Sequence, residues 1–174
     1  MLFSQPKAIR LLTVFMALFL TACSEENSGR GSEQNTIQQS HLPVLEVYKK
    51  PTCRCCSTWM VHLEDQGIET NAHHIKYLSA FKAEKSIPPR FQSCHTAVSQ
   101  DGYVFEGHIP AKYIHQFLQE KPDGAIGLAV PAMPVGSPGM EAGRHFRPYA
   151  VLLLKGDGSA EIYAQIKTQE EQYQ

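Results

Sequence analysis

An apolar, β-leaning run from Val44 to Tyr48 ends at Pro51, and the chain turns at once into Thr52-Cys53-Arg54-Cys55-Cys56. Three thiols within four residues at the end of a strand are a demanding local arrangement. Few hydrophobic cores need it, whereas soft metal ions and thiol redox chemistry both do. A further thiol, Cys94, follows much later in Ser93-Cys94-His95. The function therefore depends on whether Cys94 meets Cys53, Cys55 and Cys56 in space.

The N-terminus carries a targeting pattern rather than fold information. Lys7 and Arg10 precede the apolar stretch Leu11 to Leu20, which is too short for a typical membrane-spanning helix. The stretch ends in Leu20-Thr21-Ala22-Cys23. This resembles a bacterial lipoprotein signal, in which residues 1–22 are removed and Cys23 becomes the lipidated first residue. Ser24 after that cysteine leans towards the outer membrane, with the domain facing the periplasm. Residues 23–41 contain one strongly apolar side chain, Ile37, and read as a tether of roughly 25 Å. Residues 42–166 form the folded domain, and 167–174 a polar tail.

Removal of residues 1–22 takes away Lys7 and Arg10 and no acid, so the formal charge moves from −1 to −3. A weakly acidic chain with no basic stripe lacks the electrostatic footprint of a nucleic-acid binder. Ser137 and His145 lack any nucleophile-elbow pattern, which sets hydrolysis aside.

Along the domain, strand patterns cover 45–48 and 68–75, and helix patterns cover 57–66, 78–85 and 111–120. Two β-rich runs flank Asp101-Gly102, a strong hairpin signal, and 150–154 with 160–164 form another. The stretch from Pro122 to Gly143 is rich in Gly and Pro and reads as a loop. The order β-α-β-α-β-β-α with a C-terminal hairpin resembles a thioredoxin-like α/β fold, a mixed sheet flanked by helices. That fold puts its thiol motif at the first strand–helix junction. It also brings the segment before the hairpin, here Ser93-Cys94 in place of the usual cis-proline, beside the motif.

A helix N-terminus carries partial positive charge and lowers thiol pKa values. Two chemistries compete for such thiols. Cys53, Cys55, Cys56 and Cys94 form an all-sulfur donor set suited to Cu(I) or Ag(I) and less suited to a zinc knuckle of two separated pairs. Cys53 and Cys56 also have the CxxC spacing of thiol–disulfide exchange, so an oxidoreductase or a copper redox enzyme is the alternative. A disulfide-stapled interaction domain is a third reading, disfavoured by three thiols lying so close together. Met133 and Met140 lie in a Pro/Gly-rich loop and offer thioether ligands; the plainer role is gap filling. His95 and His108 offer ligands for Cu(II) or hydrogen bonds onto the cluster. His73 and His74 read as one buried and one exposed strand position, and Trp59 as a core anchor.

Four motifs, Tyr48 to Cys56, Ser93 to Val98, Glu106 to Pro110 and Gly127 to Glu141, together resemble the CopG-type family of periplasmic metal-binding proteins. The resemblance runs from about Val44 to Ala164. It implies copper or silver handling and resistance in the cell envelope, with copper-transport or copper-resistance proteins as partners. It also implies that the CxCC cysteines and Cys94 are the metal ligands. The family commonly has Gly where Arg54 stands, so the loop backbone or charge differs here.

Overall fold

A computed structural model describes residues 43–173. The targeting pattern, Cys23 and the tether lie outside the described residues. Among the described residues, no helix is long and apolar enough to cross a membrane.

The elements are β1 (Val44–Lys49), α1 (Arg54–Asp65), β2 (Glu69–His74), α2 (Leu78–Glu84), β3 (His95–Ser99), β4 (Val104–Glu106), α3 (Ala111–Glu120), β5 (Ala125–Ala129), β6 (Tyr149–Lys155) and β7 (Ala160–Ile166), with short 3-10 turns at Pro89–Phe91 and Glu170–Gln172. One seven-stranded sheet runs in the order β2-β1-β3-β4-β5-β6-β7. Strand β1 is parallel to β2 and β4 to β5, and the remaining pairs are antiparallel. The mixed α/β architecture expected from the sequence is therefore present.

Alternation along the strands builds two cores, one on each face. Leu45, Val47, Ala97, Phe105 and Leu128 face Trp59 and Leu63 of α1 and Ile114 and Phe117 of α3. Val98, Val104 and Ala129 face the other way, against Ile87 and Phe81. Both faces of the central strands are thus covered, and all of β4 is buried. Trp59 is fully buried, and its indole N–H donates to the Ile109 carbonyl at 2.8 Å.

Three sequence expectations change. The Gly/Pro-rich stretch contains β5, whose Gly127 (φ +151°) pairs with Val104. A Cβ at Gly127 would come within 1.8 Å of the Val104 carbonyl oxygen, so this glycine marks a close strand approach rather than a loop. His73 and His74 are both exposed, because β2 is an edge strand with little cover. The polar tail is docked: Gln172 is buried, its Nε2 donates to the Gly136 carbonyl at 2.8 Å, and its amide oxygen accepts from the Tyr149 hydroxyl.

Candidate metal centre

Lys49 ends β1, a turn closed by Cys53 N–H donating to the Lys50 carbonyl (3.1 Å) follows, and α1 begins at Arg54. The helix starts three residues earlier than its apolar pattern indicates. Cys53 therefore takes the N-cap position, and Cys55 and Cys56 fall in the first turn. No side chain caps this end and no acid sits in the first turn, so the positive pole of the helix faces the sulfurs uncompensated. Cys56 is fully buried, Cys53 and Cys55 are half-buried, and Arg54 is exposed.

Cys94 arrives from the segment leading into β3, which pairs antiparallel with β1 and so ends beside the same turn. Its Sγ lies 3.6 Å from Cys56 Sγ, and Cys53 and Cys55 Sγ are 3.6 Å apart. The four sulfurs all lie within 4.8 Å of one another. Cys53 and Cys56 are joined as a disulfide, while Cys55 and Cys94 are free thiols. The sequence brought out this pair as one alternative among several; the structure closes it.

His95 and His108 flank Cys94. Its Sγ lies 3.3 Å from His95 Nδ1 and 3.1 Å from His108 Nε2, which gives a second compact donor group, Cys94, His95 and His108. Both rings are buried. His108 Nδ1 donates to the Pro138 carbonyl at 2.8 Å, which turns Nε2 towards the sulfur. His95 packs against Trp59 (ring centroids 4.3 Å apart), and its Nε2 has no hydrogen-bond partner among the described residues.

The loop after β5 closes one side. Gly139 (φ +82°) passes so near the tip of α1 that a Cβ would come within 2.7 Å of both the Cys55 carbonyl oxygen and the Trp59 nitrogen. Only glycine permits that contact. Of the two loop methionines, Met133 is exposed and Met140 is half-buried.

Burial dominates the electrostatics. It pushes the Cys94 thiol up to about 12, with a smaller push from Cys55. It also lowers both His95 and His108, so each is a neutral imidazole at pH 7. Because these histidines take up protons more readily once unfolded, their stabilising contribution is present above pH 6.5 and is lost as pH falls. We expect the urea midpoint of the metal-free protein to drop from pH 7.5 to pH 5.0, by up to ~1.4 kcal/mol per pH unit for each histidine in unfolding free energy. An unchanged midpoint would contradict the buried neutral assignment.

Behind Cys94 lies a polar network that sequence reasoning missed. Lys82 of α2 and Glu106 of β4 form a buried ion pair. Glu106 also accepts from Thr96 Oγ1 (2.6 Å) and from the Ser93 backbone N–H (2.5 Å), and Lys82 donates to Thr96 Oγ1 (2.9 Å). The carboxylate thus pins the residues on both sides of the Cys94-His95 step. The one sequence signal was a lysine one position from Phe81 on a short helix that starts at Leu78.

Comparison with known proteins agrees with this geometry. A family model described as a protein of unknown function, DUF411, matches residues 91–140. No curated protein sequence matches significantly. Two solved structures do. One, named copper resistance protein copG, Form 1, is 38% identical with a TM-score of 0.66 and covers 71% of this chain and 96% of that chain. The other, Form 2 of a protein of the same name, is 38% identical with a TM-score of 0.68 and covers 72% and 98% respectively. Fold and site define a mixed α/β protein whose clustered cysteines could hold a metal ion. The chain belongs to the CopG-type copper-resistance family.

Proposed function

We propose that this protein binds Cu(I), or the chemically similar Ag(I), through the thiolates of Cys53, Cys55, Cys56 and Cys94, and so handles copper in the cell envelope. The carrying observation is the arrival of Cys94 within 3.6 Å of Cys56, which completes a four-sulfur group at a helix N-terminus. Polarizable sulfur donors favour soft cations, and both neighbouring imidazoles are neutral and able to donate a lone pair. His95 and His108 extend the donor set, while Met133 and Met140 stand on the loop that borders it. The disulfide state withholds two of the four sulfurs; adding two electrons and two protons returns them as thiols.

Titration of reduced protein against a Cu(I) competitor tests this reading. Binding should vanish when all four cysteines are serine, and unaltered stoichiometry would end the proposal. Cys94 is protonated at neutral pH, so loading must expel its proton. Apparent affinity should therefore rise with pH by about tenfold per unit for each proton released. A pH-independent affinity would place the metal elsewhere.

The formed Cys53–Cys56 disulfide favours one second reading, thiol–disulfide exchange or copper redox chemistry at the same sulfurs. Insulin reduction and Cu(I)/Cu(II) turnover assays separate it from binding alone. For location, the Leu20-Thr21-Ala22-Cys23 pattern supports a lipid anchor on Cys23 in the outer membrane, facing the periplasm. Radiolabelled palmitate should label the wild type and leave Cys23→Ala unlabelled; equal labelling would refute the anchor.

A further inference from the structure

A cleft of about 340 Å³ opens beside the sulfur cluster, lined by Lys50, Thr52, Cys53, Ser79, Lys82, Gln92, Ser93 and Cys94 along with Leu78. It lies within the size range of small-molecule sites. The lining mixes polar and apolar surface and contains no acidic side chain. Lys82 on its wall is neutralised by Glu106, whereas Lys50 is exposed and makes no ion pair among the described residues. The turn hydrogen bond from Cys53 N–H to the Lys50 carbonyl fixes that lysine's backbone beside the disulfide. Of the two bridged sulfurs, only that of Cys53 belongs to a half-exposed residue lining the cleft; Cys56 is fully buried.

We propose that this cleft admits a small thiol carrying carboxylates, which opens the Cys53–Cys56 disulfide by attack at Cys53 and so makes the metal site competent. The proposal rests on the copper-binding reading, since it concerns how that site gains its full donor set. In the first step the incoming thiolate forms an S–S bond to Cys53, the Cys53–Cys56 bond breaks, and Cys56 leaves as thiolate. In the second step another thiolate attacks the external sulfur of the mixed disulfide, releasing Cys53 as thiolate. In sum, two small thiols become one small disulfide and supply the two electrons and two protons that convert the protein disulfide into two thiols. Lys50 supplies the charge that draws an anionic reductant to the rim, an effect on encounter rate rather than on chemistry.

The test uses metal-free, oxidised protein with mercaptosuccinate as the anionic thiol and 2-mercaptoethanol as the neutral one. Quenching at short times with iodoacetamide and peptide mapping should find the first adduct on Cys53. The ratio of the mercaptosuccinate rate to the 2-mercaptoethanol rate should fall about 3- to 10-fold in Lys50→Glu, and the fall should shrink in high salt. An adduct on Cys56, or a ratio unchanged in the variant, overturns the proposal. Lys50 is exposed, and the neutral-thiol rate reports any general damage to the fold. No metal enters the assay, so its failure leaves titration of chemically pre-reduced protein standing, and failure of that titration leaves this assay readable.

Discussion

Cys94→Ser is expected to lower Cu(I) affinity by well over the ~10- to 100-fold that outer-shell changes usually cost a metal site. The reason is geometric. Cys94 is the point where the two donor groups meet: it lies 3.6 Å from Cys56 on one side and within 3.3 Å of a nitrogen of both His95 and His108 on the other. Removing its sulfur takes one donor from each group at once, while the shorter-range cluster of Cys53, Cys55 and Cys56 stays in place at the helix tip. The replacement is nearly isosteric and half-exposed, so the fold should persist with an unchanged circular dichroism spectrum. Competition titration with a Cu(I) chelator measures the effect. Wild-type affinity in Cys94→Ser would mean that the helix-tip thiols bind without their distant partner.

Glu106→Ala is expected to destabilise the protein by about 3–5 kcal/mol, although the residue has no proposed metal-ligating role. The substitution strands the Lys82 ammonium in a buried environment and leaves the Ser93 N–H and the Thr96 hydroxyl without their acceptor. Burial pulls Lys82 down and pushes Glu106 up, and their mutual attraction opposes both shifts. The apolar double variant Lys82→Met, Glu106→Leu removes both charges and should recover most of the loss. It would still leave Ser93 unpinned, so Cu(I) affinity should remain weakened even where stability returns. Urea unfolding of the single and double variants checks the energies. Equal destabilisation in both would mean that packing volume, not the unpaired charge, sets the cost.

Much of this molecule is legible in its residues because strand and helix periods alternate cleanly. The helix over 111–120 follows from its apolar spacing, and both hairpins from their turn residues. The approach of Cys94 to the CxCC turn follows from one topological step, the antiparallel pairing of β3 with β1. The remainder depends on tertiary contacts that local patterns do not encode. β5 is hidden because its glycine is required by the neighbouring Val104 backbone, not by a turn. The Lys82–Glu106 pair joins residues on a short helix and a buried strand that no local spacing connects. The choice of Cys56 rather than Cys55 as the partner of Cys53 follows from helix geometry: Cys53 and Cys56, one turn apart, have Cα atoms 5.4 Å apart. The tail reads only as polar, and Gln172 finds its amide partners because Gly136 and Tyr149 have been brought there by the rest of the fold.

X-ray absorption of the reduced, Cu(I)-loaded protein examines the copper first shell itself. A sulfur-dominated shell that loses sulfur in Cys94→Ser is the expected result. A shell of nitrogen and oxygen, indifferent to Cys94, would contradict the assignment of this four-cysteine group as the copper site.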